Sequence, residues 1–127
     1  MTVGLDVGTT AVKAVAADAD GHVLARARIP HAVQSPVAGA AEHDIDVVWR
    51  YGVVSALAEV VADLPAGSSV VGVVVAAMVP SLGAVDATTG RAVGPGLLYG
   101  DHRGARRDGG GEGPGDSGEL LAFLRWL

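Results

Sequence analysis

The chain has 127 residues, of which half are apolar and only 4% aromatic, and its formal net charge is −5. This length fits one domain or a piece of one, and the core must be built from small residues, mostly Ala and Val. The negative charge and the lack of a basic stripe argue against a nucleic-acid partner. The absence of cysteine excludes disulfides and thiolate zinc sites.

The sequence carries no sign of export or of a membrane span. The first residues, MTVGLD, lack both a basic segment and a long apolar segment. The longest apolar run, at 70–79, is shorter than the ~20 residues that a membrane helix needs. We therefore expect a soluble, cytoplasmic protein. The histidines are scattered without metal-ligand spacing and are expected at the surface: His22, His31, His43 and His102.

The first thirty residues predict an antiparallel meander of three strands. The strands are expected over 2–7, 11–18 and 22–29. Gly8-Thr9-Thr10 joins the first two strands, and residues 18–21 join the second pair, with Gly21 placed to take a positive φ. Residues 30–43 are expected to be irregular because prolines and a glycine interrupt them.

A helix and a further strand follow. Asp44 or Asp46 can cap a helix that runs to about Leu64. Apolar residues at spacings of three and four predict its buried stripe: Val47, Tyr51, Val54, Leu57, Val61 and Leu64. The apolar run over 70–76 predicts a central strand covered on both faces, and the strand–helix–strand order favours parallel pairing with the first strand.

The remaining residues predict a hairpin, a loop and a last helix. Residues 82–86 and 91–98 are expected to pair around a turn. Residues 108–118 are expected to form a low-complexity loop, and their Gly-x-Gly-x-x-Gly spacing is not a dinucleotide fingerprint because no strand is predicted before it. A helix is expected over 117–127. The apolar face at 120–127 would need a partner, either a second copy or a further part of the polypeptide.

The first hairpin combines groups that bind phosphate. Its turn, Gly8-Thr9-Thr10, can present successive backbone N–H groups and two hydroxyls to an anion. Lys13 would add a positive charge beside the turn, and Asp6 fits if Mg²⁺ lies between its carboxylate and phosphate oxygens. This set suits phosphoryl transfer, although the Walker A spacing is absent. The alternative is an ordinary hairpin turn that Asp6 caps.

The segment GLDVGTTAVKAV, at 4–15, resembles the first phosphate motif of the actin-like ATPase superfamily. Three later segments narrow the resemblance to the FGGY carbohydrate kinases. AEHDIDVVW at 41–49 is similar to that family's Glu-Gln-Asp-Pro-x-x-Trp-Trp segment, and LLAFLRWL is similar to a later helix. Residues 70–104 resemble the family's strand, substrate loop and hairpin, and they end in Tyr99-Gly-Asp101-His-Arg103 where the family has Trp-x-Asp-x-Arg.

The resemblance implies a fold and an activity. The fold is an α/β, ribonuclease H-like (actin-like ATPase) domain, a mixed sheet with an antiparallel β1-β2-β3 meander and a parallel strand after a crossover helix. Residues 1–127 would be the N-terminal part of such a kinase domain, which we expect to be truncated. The activity is ATP-dependent phosphorylation of a sugar or polyol hydroxyl, with ATP and Mg²⁺ as cofactors.

Residue roles follow from the same resemblance. Asp6 would belong to the Mg²⁺ site, and the ATP phosphates would meet Asp6, Gly8, Thr9, Thr10 and Lys13. The substrate side would comprise Met78, Val79, Pro80, Tyr99, Asp101 and Arg103. For some of these the residues alone allow a structural role: an Asp101–Arg103 surface ion pair, core packing by Tyr99, or gap filling by Met78.

Two differences from the family's motifs limit what the resemblance implies for this chain. Met78-Val79-Pro80-Ser81 stands where xylulokinase-like members have Gln-Met-His-Gly and glycerol kinases carry Arg-Glu, so neither substrate carries over. His43 replaces the usual glutamine and Ile45 the usual proline, and both are expected to be structural.

The resemblance also implies parts that these residues do not supply. Family members are longer, with ATP in a cleft between two actin-like domains. Their general-base aspartate, second phosphate loop and adenosine pocket come after the segment seen here, so we expect no catalytic base in this chain and negligible activity from it alone. The alternative is a noncatalytic fragment, or a small nucleotide- or sugar-binding protein that retains the fold.

Overall fold

The computed structural model describes residues 1–104, so the predicted loop over 108–118 and helix over 117–127 lie outside the described residues. In chain order the elements are β1 (Thr2–Val7), β2 (Ala11–Ala17), β3 (Val23–Pro30), β4 (Glu42–His43), a π-helical segment (Ile45–Gly52) that runs into α1 (Val53–Ala62), β5 (Gly72–Ala77) and β6 (Gly96–Leu97). Within residues 1–104, no helix is long and apolar enough to cross a bilayer.

The main sheet has the strand order β3-β2-β1-β5. β1 pairs antiparallel with β2 and parallel with β5, and β2 pairs antiparallel with β3. The predicted meander and the predicted parallel pairing are therefore confirmed. Gly21 has the expected positive φ, of 84°.

Side chains of β1 alternate strictly between two environments. Val3, Leu5 and Val7 are buried, whereas the intervening residues are exposed. The alternation arises because successive side chains of a strand point to opposite faces. The helical layer covers the face that Leu5 occupies, and Asp6 lies on the opposite, open face.

The helix packs on the sheet through small residues, and the predicted stripe is wrong. Its buried residues are Ile45, Val48, Gly52, Ala56 and Val60. Four residues of the predicted stripe are more than half exposed, namely Val47, Tyr51, Val54 and Val61, while Leu57 and Leu64 are partly buried against the core. A Cβ on Gly52 would lie only 3.2 Å from Val12 Cγ2. The sheet is built from Ala and Val, so close approach favours the small side chains and leaves the larger stripe outside.

The expectation of a central strand over 70–76 is wrong for residues 1–104. β5 lies at the edge of the sheet, and Val73, Val74 and Val75 are each at least half exposed. No described residue pairs with the outer edge of this strand or covers its valines. Among residues 1–104, β5 therefore has an unpaired and exposed apolar edge.

The predicted hairpin forms as a loosely bridged loop that packs on the helix. Val85 bridges Ala92, and the Asp86 carboxylate accepts hydrogen bonds from the Thr88 and Thr89 N–H groups. β6 pairs with β4 in a second, two-stranded sheet. Asp44 caps the helical segment, since its Oδ1 accepts the Val47 N–H at 2.9 Å.

Gly96 leaves the space that the Trp49 ring occupies. A Cβ at this position would lie 2.6 Å from Trp49 Cη2, whereas a Cβ on Gly94 would meet nothing within 4 Å. We therefore expect Gly96→Ala to lower the free energy of unfolding by about 1–3 kcal/mol through overpacking. Gly94→Ala should stay within about 0.5 kcal/mol of the wild type. Urea denaturation measures both, and equal effects of the two substitutions would contradict this packing.

The open edge of β5 should promote self-association, because unpaired strand edges template further pairing. Val74→Lys is expected to reduce oligomer formation in a concentration series measured by sedimentation velocity. Val93→Lys is the matched control, since Val93 is 65% and Val74 66% exposed and Val93 lies in the hairpin. If Val93→Lys reduces oligomer formation equally, the effect comes from the added charge and not from the strand edge, which would contradict the prediction.

Candidate functional site

An exposed ion pair lies beside the turn between β1 and β2. Asp6 and Lys13 are directly opposite in the register, with Lys13 Nζ 3.5 Å from Asp6 Oδ2. Both side chains are about half exposed, so the pair adds little to stability and both groups can reach a ligand. Across the next strand pair Lys13 stands opposite Arg28, which places two cations in one row.

The turn itself is tight and glycine-dependent. The Gly8 N–H donates to Ala11 O at 3.1 Å. A Cβ on Gly8 would lie 3.1 Å from Ala11 O and 3.7 Å from Asp6 Oδ2. The carboxylate therefore lies against the turn, at a place that a larger side chain would obstruct.

All three carbonyls of the turn accept hydrogen bonds from two histidines. His31 Nε2 lies 3.0 Å from Gly8 O, and the His31 backbone N–H donates to Thr10 O at 3.0 Å. His43 Nε2 lies 3.0 Å from Thr9 O. Among residues 1–104, no acceptor is bound to the Thr9 or Thr10 N–H groups.

The expectation of surface histidines is wrong for His43, which has no exposed area, and His31 is partly buried. The His43 ring is held as one neutral tautomer. Its Nδ1 accepts from Trp49 Nε1 at 3.2 Å, so the proton is on Nε2, which donates to Thr9 O. Burial lowers the pKa of His43, nearby His31 lowers it further, and the Thr9 carbonyl opposes both effects. His43 thus has the structural role expected of it, and its partners are Thr9 and Trp49.

The segment after β5 adjoins the turn. The Met78 N–H donates to Val7 O at 3.4 Å, and the Thr9 hydroxyl donates to Met78 Sδ at 3.7 Å. Val79 is 79% exposed and Pro80 is exposed too. The structure thus brings the first three predicted substrate residues next to the predicted phosphate residues.

Asp101 and Arg103 form an ion pair, and Arg103 also binds Glu42, to which sequence reasoning gave no site role. Arg103 Nη2 lies 2.6 Å from Asp101 Oδ2 and also contacts the carboxylate of buried Glu42. Asp101 Oδ2 accepts the Ala41 N–H at 3.1 Å. The Arg103 guanidinium holds the pKa of Asp101 well below its usual range, and Asp101 raises the pKa of Arg103. The loop is thereby tied to β4.

Tyr99 is 57% exposed, which excludes core packing within the described residues. Sequence reasoning gave no site role to four groups that the site uses or adjoins: Arg28, His31, Glu42 and the contact of His43. Of these groups, only Arg28 could have been found from the alternation of the strands, because the register of β2 and β3 places it opposite Lys13.

Residues 1–107 match the model of the FGGY family of carbohydrate kinases, N-terminal domain, and the chain belongs to that family. It is 34% identical over 99 residues to apulose kinase of Pectobacterium atrosepticum, covering 78% of this chain and 20% of that protein. Its structure is similar to xylulose kinase from Rhodospirillum rubrum, with a TM-score of 0.73 and 27% identity over 98% of this chain and 23% of that one.

The fold is also shared with Plasmodium falciparum glycerol kinase with ADP, at a TM-score of 0.69 and 19% identity, over 81% of this chain and 21% of that one. The mixed sheet is thus that of the actin-like ATPase sugar kinases, as predicted. The chain spans about a fifth of the length of these relatives.

The buried neutral imidazole predicts a loss of stability at mildly acidic pH. The pKa of His43 lies below its ordinary value of 6.5, so the unfolded chain binds this proton first as the pH falls. Stability from this group is present above pH 6.5 and is lost as the pH falls towards the folded pKa. Asp101 adds a separate loss below its ordinary pKa of 3.8.

Urea denaturation across this pH range should show the first loss in the wild type and not in His43→Gln. Glutamine offers the same donor and acceptor without titrating. His102→Gln is the control, because His102 is exposed, and it should retain the loss. Persistence of the loss in His43→Gln would contradict the assignment.

Proposed function

We propose that this chain is the ATP phosphate-binding part of a carbohydrate kinase that transfers phosphate to a hydroxyl of a sugar or polyol. The observation that carries the proposal is the half-exposed Asp6–Lys13 pair beside a turn whose Thr9 and Thr10 N–H groups have no partner within residues 1–104. Membership of the FGGY family supports it. The activity is that of the whole protein, because the relatives are about four times as long as this chain.

Phosphate binding would use the turn and the cation together. The N–H groups of Thr9 and Thr10 suit the oxygens of a polyphosphate, as successive amides in a turn form an anion-binding concavity. The Thr9 and Thr10 hydroxyls supply further donors. Lys13 would exchange its exposed contact with Asp6 for phosphate oxygens, a change that costs little because the pair is solvated.

Mg²⁺ fits the residues present at Asp6. The carboxylate is half exposed, lies against Gly8 and offers the hard oxygen ligand that Mg²⁺ prefers. Mg²⁺ commonly uses only one or two protein carboxylates with phosphates and water. When bound, the ion would neutralise charge on the phosphates during transfer.

The substrate side is proposed to comprise Met78, Val79, Pro80, Tyr99, Asp101 and Arg103. Met78 joins this side to the turn through its contacts with Val7 and Thr9. The exposed ring of Tyr99 suits the apolar face of a sugar. Asp101 and Arg103 would hold the loop after Tyr99 in place through their ion pair.

No general base is proposed among residues 1–104. Asp6 is proposed for Mg²⁺, and the acids beside Tyr99 are committed to Arg103: Asp101 has a depressed pKa, and Glu42 is buried against the guanidinium. We place the base elsewhere in the whole protein and expect this chain to bind nucleotide without turnover. ATP use would place the protein in the cytoplasm.

Titration of Mg²⁺-ATP into the ¹⁵N-labelled chain should shift backbone amides centred on residues 6–13. Lys13→Ala should weaken binding about ten- to a hundredfold, the size of one hydrogen bond to a charged group. Asp6→Asn should remove the difference between ATP with and without Mg²⁺. Arg26→Ala is the matched charge control, since Arg26 is an exposed cation of β3 opposite Val15.

The proposal fails if a folded sample shows no shift at residues 6–13 at millimolar nucleotide. It also fails if Arg26→Ala weakens binding as much as Lys13→Ala, since attraction would then be nonspecific.

A further inference from the structure

Two histidines, His31 and His43, occupy the inner side of the phosphate turn and hold its carbonyls. The bonds join His31 Nε2 to Gly8 O and His43 Nε2 to Thr9 O, each at 3.0 Å. The backbone N–H of His31 binds the third carbonyl, Thr10 O. Sequence reasoning about the phosphate site assigns neither ring to it.

Because peptide groups are planar, these bonds to the carbonyls also fix the direction of the Thr9 and Thr10 N–H groups. In a planar trans peptide, the C=O of one residue and the N–H of the next point in opposite directions. A ring that draws the Gly8 carbonyl inward therefore directs the Thr9 N–H outward. The ring of His43 has the same effect on the Thr10 N–H through the Thr9 carbonyl.

The rings are themselves held in place. Trp49 Nε1 donates to His43 Nδ1 at 3.2 Å, which leaves the proton on Nε2 for the turn. The two imidazoles meet edge to face, with centroids 4.8 Å apart. His43 is fully buried, so its bond to Thr9 O is shielded from water.

We propose that His31 and His43 are positioning residues that orient the peptide planes of the turn so that the Thr9 and Thr10 amides face an incoming polyphosphate. The inference rests on the proposed phosphate-binding function of the turn. It adds a specific requirement: a side chain at each position must donate a hydrogen bond to a carbonyl. The rings touch no phosphate themselves.

The test compares donors with nondonors of similar size. His31→Leu and His43→Leu are each expected to weaken Mg²⁺-ATP binding about three- to tenfold, because a turn carbonyl loses its donor. His43→Gln should bind within about twofold of the wild type, since its amide can donate to Thr9 O and accept from Trp49. His22→Leu is the matched control, as His22 is 77% exposed and bonds to Asp18 in another turn.

A destabilised variant with an intact turn distinguishes the positioning role of the histidines from a general effect on stability. Val60→Ala removes a fully buried side chain of α1 and should lower stability without changing nucleotide affinity. Hydrogen exchange of the Thr9 and Thr10 amides should change in the leucine variants and not in Val60→Ala. If His43→Leu does not fold, His31→Leu and the wild-type ring tautomers decide the question.

Long-range ¹H–¹⁵N spectra of the wild type should show a proton on Nε2 of both rings and none on Nδ1 of His43. A His43 ring protonated on Nδ1, or leucine variants with wild-type affinity, would overturn the positioning role while leaving the proposed function intact. A wild type that binds no Mg²⁺-ATP overturns the proposed function. The tautomers and amide exchange then decide whether the rings orient the turn.

Discussion

The hydrogen bond from the buried ring of His43 to the Thr9 carbonyl is the contact on which the rest of the site depends. Its donor ring is fully removed from water, so the bond is stronger than one between two exposed groups. Its loss would leave a buried donor unsatisfied, which costs more than the bond contributes. Trp49 fixes the ring, and Gly83 and Gly96 leave the space for Trp49. The packing of the two glycines around Trp49 thus helps to determine the shape of the surface turn, because Trp49 holds the ring that binds the turn.

The short strand β4 extends this constraint from the turn to the loop at 101–103. Neighbouring side chains of a strand point in opposite directions, so Glu42 and His43 reach different parts of the molecule. His43 binds the turn, and Glu42 binds Arg103, which in turn holds Asp101. Two residues therefore tie the proposed phosphate side to the proposed substrate side. A shift of β4 by one residue would disrupt both contacts at once.

Local patterns were sufficient for the strands and insufficient for the helix face and the histidines. Alternation and turn chemistry predicted β1, β2 and β3 to within a residue, and the strand–helix–strand order predicted the parallel pairing of β5. The helix has apolar residues on two sides, so periodicity could not tell that Gly52 and Ala56 face the sheet. His31 and His43 lie in or next to an irregular segment without a period, and their partners in the turn are more than twenty residues away.

The core and the candidate site are linked by the same period of two. On β1, Leu5 and Val7 face the helical layer, and Asp6 between them faces the open side beside Lys13. The site therefore uses positions that the core does not need, and the two sets of residues can be specified independently. They cannot be displaced independently, since a slip of one residue would carry Asp6 under the helix and Leu5 into solvent. Burial of Val3, Leu5 and Val7 is consequently what holds the Asp6 carboxylate on the side of the sheet where the turn and Lys13 meet it.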